Sequence, residues 1–240
     1  MTVWCAAAAL LSVTAARERR ACCAALELRQ YTMKPGQRDT LIALFDRHFV
    51  EPQEALGMMI VGQFRDRARP DRFVWIRGFS DMRSRQAGLE SFYTGPVWAE
   101  HKAAANQTMV DVSDVYLLKP ARPDTAFRLD WSTRPAVGED RKGSTVLAGI
   151  RRLPRPADAA AVADFEKQAI PQLLRAGVNV ISIFVTESAP NNFPRLPVRE
   201  GEHVLVWFGI SNRGETVSAD LAAPVDLLEL EPTPRSLLGH

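Results

Sequence analysis

Residues Phe73 to Phe79 read Phe-Val-Trp-Ile-Arg-Gly-Phe, and this stretch limits what the chain can fold into more than any other. β-branched and aromatic residues dominate it, with Pro70-Asp71 before and Ser80-Asp81 after, which predicts a strand. Alternation sends Phe73, Trp75, Arg77 and Phe79 to one face and Val74 and Ile76 to the other. One face is aliphatic, as for packing on helices; the other is aromatic with a single guanidinium. A second strand of the same kind runs from His203 to Gly209, where Val206-Trp207-Phe208 repeats Val74-Trp75-Ile76. The repetition predicts two related halves.

The first half spans residues 25–120. Leu26 to Tyr31 alternates apolar and polar residues, which predicts a half-buried strand with Glu27, Arg29 and Tyr31 on one face. Lys34-Pro35-Gly36 ends it, and Leu41, Leu44, Phe45, His48 and Phe49 recur at helical spacing from Gln37 onward. Met58 to Phe64 is a second strand and Phe73 to Phe79 a third. A helix follows from Met82 to about Tyr93, broken at Thr94-Gly95-Pro96 and resuming through Trp98, with Pro96 suited to a first helical position. Val112 to Leu118 is the fourth strand. The order strand, helix, strand, strand, helix, strand is the ferredoxin-like arrangement, with both helices on one side of an antiparallel sheet. A sheet face bearing Phe73, Trp75 and Tyr31 has to be covered, because soluble monomers do not expose apolar patches of that size.

Residues 121–144 form a linker rich in Pro, Arg and Asp around the apolar island Phe127 to Trp131. The second half, 145–240, repeats the order with strands Thr145 to Arg151, Asn179 to Val185 and His203 to Ile210 and a helix from Asp158 to about Arg175. Pro171 and Gly177 echo Pro52 and Gly57. Between Ser211 and Pro224 there is room for about two helical turns before the strand Val225 to Leu230, so the last helix is expected to be short or missing and that sheet thinly covered.

Residues 1–24 read as an extension foreign to the rest. An apolar run from Val3 to Ala16 precedes the basic group Arg17 to Arg20, the reverse of a secretory signal, and it is short for a membrane span. A disordered extension and an organellar targeting segment are the two readings. With 30 basic and 28 acidic residues spread along the chain, no basic stripe points to nucleic acid. The three cysteines, Cys5, Cys22 and Cys23, form no disulfide framework and suggest a reducing, cytoplasmic setting. The four histidines show no metal-ligand spacing. No stable membrane insertion, metal or cofactor is expected.

With the elements laid out, the first half resembles a NIPSNAP domain, a branch of the dimeric α/β barrel superfamily. The resemblance is carried by Glu27 to Tyr31 with Pro35-Gly36, Val74 to Arg77 with Phe79, Arg85, Phe92-Tyr93, Pro96, Trp98, and Asp111 to Leu118 before Pro120. The second half resembles the companion repeat of two-repeat bacterial members through Asn191-Asn192-Phe193-Pro194-Arg195-Leu196-Pro197 and Val204 to Phe208. The resemblance implies an α+β fold in which two ferredoxin-like (βαββαβ) repeats pair as an intrachain dimeric α/β barrel. The aromatic face is expected to point into that barrel, and the molecule to be a monomeric pseudo-dimer or a homodimer. It implies a protein of uncharacterised biochemical role, a small-ligand-binding or stress-related module. Alternatives are an enzyme like the cofactor-independent oxygenases or isomerases of the same superfamily, and a protein-interaction scaffold using the second sheet.

The pocket candidates are Arg29, Tyr31, His48, Trp75, Arg77, Tyr93 and Trp98. A fixed guanidinium at Arg77 can hold a small anionic or aromatic ligand through a bidentate carboxylate; its bland role is an internal ion pair with Glu27. His48 is either a proton carrier at a cleft or a half-buried histidine bonded to backbone; a haem-binding variant would use His48 or His101 as axial ligand. Tyr93 and Trp98 flank the Thr94-Gly95-Pro96 break, where they either rim a mouth or belong to the core. Asp111 and Asp114 read as turn and cap residues. No phosphate loop, nucleophile elbow, paired-cysteine motif or Asp-x-Asp motif is present, so no phosphatase chemistry is carried over.

Overall fold

The computed structural model describes residues 20–211 and 226–240. In chain order the elements are β1 (Arg20–Cys22), β2 (Ala25–Met33), α1 (Arg38–His48), α2 (Val50–Ala55), β3 (Met59–Asp66), β4 (Arg72–Phe79), α3 (Met82–Thr94), α4 (Pro96–Thr108), β5 (Met109–Asp111), β6 (Val115–Pro120), β7 (Phe127–Leu129), β8 (Val146–Leu153), α5 (Ala159–Arg175), β9 (Val178–Thr186), β10 (His203–Ser211) and β11 (Asp226–Pro232). Local chemistry sets the helix limits. Asp81 and Asp158 accept the N–H groups of Ser84 and Ala161 at the starts of α3 and α5. Gly57 and Gly177 follow α2 and α5 with φ of 81° and 82°, the left-handed conformation that a chain leaving a helix needs.

Within each half the strands take the same order. It is β6-β2-β4-β3 in the first and β11-β8-β10-β9 in the second, all antiparallel. Two seams join the halves: β3 pairs with β11 around Arg65↔Glu231, and β6 pairs with β9 around Lys119↔Val185. Eight strands therefore close into one barrel, and the fold is α+β with two ferredoxin-like repeats related by a pseudo-twofold axis.

The faces are opposite to expectation. Leu26, Leu28, Val74 and Ile76 point into the barrel, where they meet Val146, Ala148, Val206 and Phe208 from the other repeat. Phe73, Trp75 and Phe79 lie outside it, under α1, α3 and α4 with Phe45, Leu89 and Phe92. Trp207 lies on the opposite exterior, under α5 with Val162 and Phe165. The reason is room and satisfaction. An eight-stranded interior is just wide enough for branched aliphatics and Phe, whereas Trp75, Arg77 and Glu27 need the larger space and polar partners that helices supply. Around Phe127 the interior is filled, with 5.0 Å from its ring centre to those of both Phe184 and Phe208, and a cavity of about 650 Å³ lies beside it, lined by Leu129, Ile181, Ile210, Leu237 and Leu238.

That Phe127 belongs to the segment read as a linker, and it is fully buried. Its strand β7 pairs with β1, so residues 20–22 of the expected extension are part of a two-stranded ribbon, and Cys22 is buried. The sulfurs of the neighbours Cys22 and Cys23 lie against each other, and a pair of adjacent residues staples no two elements together. The reading of residues 1–19, and that of a short last helix within 212–225, lie outside the described residues. The thin cover on which the scaffold reading relied turns on that same last helix and lies outside the described residues too; α5, expected from the sequence, packs on the second sheet along its buried Val162, Phe165 and Leu173. Among the described residues no helix is long and apolar enough to cross a membrane, and no group of three or more His, Cys, Asp or Glu is placed to hold a metal ion.

Candidate functional site

Glu27, Arg29 and Tyr31 alternate on β2 and so emerge on one side, opposite Arg77, Trp75 and Phe73 of β4. Burial follows from the helices laid over this face. Glu27 Oε2 accepts from Arg29 Nη1 at 2.9 Å and from Arg77 Nε and Nη2 at 3.0 and 2.6 Å. Glu27 Oε1 accepts from Arg85 Nε of α3 at 2.8 Å. Arg85 Nη2 is 2.7 Å from the same oxygen but outside hydrogen-bonding geometry. Neutral acceptors complete the shell: Tyr31 Oη for Arg29 Nε, and Gln53 Oε1 of α2 for Arg77 Nη1. All four charged side chains are fully buried, and three guanidiniums surround one carboxylate, an excess of two positive charges.

Burial by itself raises the pKa of Glu27, but Arg77, Arg29 and Arg85 together overcome it and hold the carboxyl well below its ordinary range. Burial raises the pKa of Tyr31, with Arg29 opposing, so its phenol is protonated at neutral pH. Burial lowers the pKa of Arg85 against the pull of Glu27.

The second repeat is an internal control. Aligning Trp207 with Trp75, the cross-strand registers set Gly149 against Arg29, Leu147 against Glu27 and Gly209 against Arg77. The indole of Trp207 lies where a Cβ on Gly149 would be. Among the described residues the same sheet face, here under α5, is thus built a second time without the charges of Glu27, Arg29 and Arg77. Buried ion clusters contribute little net stability compared with apolar packing, so the scaffold does not require this one.

Beside the cluster is a cavity of about 100 Å³, between the sheet and the helices. Tyr31 and Trp75 form its floor, Phe49 and Trp98 its helical walls, and Tyr93 and Leu196 its rim. The guanidinium of Arg29 lies 5.3 Å from the Tyr31 ring and 5.5 Å from that of Trp75. Trp75 Nε1 on the cavity floor and Arg29 Nη2 in the adjoining cluster are buried donors with no hydrogen-bond partner among the described residues. Leu196 comes from the other repeat. The segment Asn191 to Leu196 crosses to α3, where Asn191 Oδ1 and Asn192 Oδ1 accept from Arg85 Nη1 at 3.0 and 2.6 Å and Phe193 stacks on Tyr93.

Residues 26–123, the span that supplies most of this site, match the NIPSNAP family model. The first repeat is a NIPSNAP domain. Curated proteins yield no match to the chain. Among solved structures, a proposed monooxygenase from Fusobacterium nucleatum is 11% identical with a TM-score of 0.53, over 90% of this chain and 94% of that one. A second, from Lactobacillus acidophilus, is 13% identical with a TM-score of 0.50, over 87% and 93%. Both span the two repeats, and at such identity they establish the fold alone. A NIPSNAP family protein of unknown function from Agrobacterium tumefaciens is 21% identical over 44% of this chain and 95% of that one, with a TM-score of 0.39.

The NIPSNAP domain brings six of the seven expected pocket residues together. Tyr31, Trp75, Tyr93 and Trp98 line the cavity, and Arg29 and Arg77 lie in the cluster next to it. Arg77 has the ion pair with Glu27 that was its bland role. The site lies on the helix side of the sheet, not in the barrel interior where it was expected. His48 is not among the lining residues. Its ring stacks on that of His101 at 3.9 Å across α1 and α4, and its pKa is lowered by partial burial and then by His101. Asp111 caps a turn through Ser113 N, while Asp114 instead pairs with Arg199 at 2.9 Å. Sequence reasoning passed over Gln53, Arg85, Asn191, Asn192 and Leu196 as site residues. An arginine on the buried side of α3 was the available signal for Arg85. No pattern within the chain announces that Asn191 and Leu196 reach the other repeat.

Proposed function

We propose that the NIPSNAP domain of this protein binds a small ligand carrying a carboxylate or similar anion on an aromatic body. One observation carries the reading: a buried cluster with two excess positive charges adjoins an aromatic cavity in the first repeat and has no counterpart among the described residues of the second. Buried charge calls for a counter-charge, and Arg29, whose Nε and Nη1 are taken by Tyr31 and Glu27, keeps Nη2 as a single unpaired donor in the cluster beside the cavity. The indole N–H of Trp75 is a second free donor on the cavity floor. A cytoplasmic setting is part of this proposal, supported by three cysteines that offer no disulfide framework.

Calorimetric titration with benzoate and its ring-substituted relatives tests it. Saturable 1:1 binding is expected, with quenching of tryptophan fluorescence. Arg29→Gln, which keeps hydrogen bonding to Tyr31 possible, is expected to weaken binding about tenfold, the scale of one hydrogen bond to a charged group. Equal affinity in wild type and Arg29→Gln would remove the cluster from the binding site.

A second reading makes the same site catalytic, in the manner of a cofactor-independent oxygenase or isomerase. It is favoured by Tyr31, whose Oη accepts from Arg29 Nε at 2.9 Å and so has its own proton to offer a ligand on the cavity floor. In this reading Tyr31 takes the proton-carrying role first considered for His48. Oxygen uptake with an aromatic acid, abolished by Tyr31→Phe while binding survives, would establish it.

A further inference from the structure

We infer that the Asn191–Leu196 segment of the second repeat is the element that selects ligands for the first repeat's site, restricting it to acids with one aromatic ring. The inference rests on the ligand reading above and adds who sets the size limit. Leu196 is the lining residue that comes from the other repeat. Its position is fixed by hydrogen bonds, not by loose packing. Asn191 Nδ2 donates to Leu196 O at 2.9 Å, and Leu196 N donates to Phe193 O at 3.1 Å. The same Asn191 accepts from Arg85, which in turn is bound to Glu27. A continuous polar chain therefore runs from the charged cluster through Arg85 and Asn191 to the wall formed by Leu196, so the end that holds the anion and the end that limits the body are built as one unit.

Two further contacts hold the segment down. Asn192 Nδ2 donates to Met82 O at the start of α3, and Phe193 stacks on Tyr93 at 5.9 Å between ring centres with a 30° tilt. Size supplies the ligand class. A cavity of about 100 Å³ is smaller than the cavity of about 150 Å³ that takes up benzene in a protein interior. One ring entering past Tyr93 and Trp98 already needs the rim to give, and a fused second ring has only the Leu196 wall left to displace. The unpaired indole N–H of Trp75 on the cavity floor and the excess positive charge of the adjoining cluster call for an anion, which makes that ring an arene carboxylate.

The test is calorimetry on the full chain with benzoate and 2-naphthoate as probes, in wild type and Leu196→Ala. Wild type is expected to prefer benzoate by at least about tenfold, the discrimination a wall contact of this size provides. Leu196→Ala is expected to tighten naphthoate binding more than benzoate binding and so reduce that preference about tenfold. Should Leu196→Ala fail to fold, Leu196→Phe serves in its place: by filling the cavity it is expected to weaken benzoate about tenfold. Benzoate binding in wild type with the ratio unmoved in Leu196→Ala, or with benzoate affinity unmoved in Leu196→Phe, overturns the selecting role and leaves the ligand reading intact. No binding of either acid to wild type overturns the ligand reading and this inference with it.

Discussion

Glu27 is the one negative charge among three buried arginines, and its removal isolates all of them. Glu27→Gln keeps the shape and one acceptor oxygen but leaves Arg29, Arg77 and Arg85 without a counter-charge at zero exposure. Breaking a buried ion cluster on one side is costly, about 3–5 kcal/mol, and urea unfolding at pH 7 should show a loss of that order. The pH dependence has a definite sign. Because the folded-state pKa of Glu27 is depressed, its contribution is fully present above the unfolded value of 4.5 and is lost progressively as pH falls below it. The stability gap between wild type and Glu27→Gln is therefore expected to narrow between pH 5 and pH 3. A gap that stays constant across that window would mean the carboxylate is not what holds the cluster. The Glu27–Arg77 pair was legible in the sequence, because period-2 alternation on two strands places both on one face. Arg85 was not, since a charged residue on a helix gives no sign of whether it turns inward until the sheet beneath it is known to carry an acid.

At the scale of elements, alternation and punctuation located the strands and the break between α3 and α4, because Gly95-Pro96 ends one helix and begins the next for local reasons. What alternation could not reveal is which of two unlike faces goes inward. That choice depends on the width of a closed barrel, a property of eight strands together and of no single one. Short elements such as β7, three residues long, lack the length to show a period at all. Gly149 of β8 tests the packing that follows from the chosen faces. Its missing side chain leaves space for the indole of Trp207, so Gly149→Ala forces the ring or the strand to move. Overpacking of this kind is expected to destabilise by about 1–3 kcal/mol, read as a lower urea midpoint with an unchanged slope. If Gly149→Ala matched wild type, Trp207 would not be packed against that strand, and the comparison of Gly149 with Arg29 would lose its footing.

The whole molecule is held closed by two seams that are alike. In each, the second strand of one repeat pairs with the fourth strand of the other: β3 with β11, and β9 with β6. Cutting the chain after the ribbon strand β7 therefore leaves the first repeat with two open edges, β3 and β6, and with the aliphatic face of Leu26, Leu28, Val74 and Ile76 uncovered. Open edges and an apolar face of that extent drive association. The pseudo-twofold relation states which association: β3 of one copy can pair with β6 of a second, twice over, and restore a closed barrel with no new kind of contact. Residues 20–130 alone are expected to run as a dimer in size-exclusion chromatography with light scattering, while the full chain, whose second repeat already occupies both edges, runs as a monomer. A folded, monomeric 20–130 fragment would show that the first repeat does not depend on its companion to cover the sheet, and would leave the apolar barrel interior without its energetic reason.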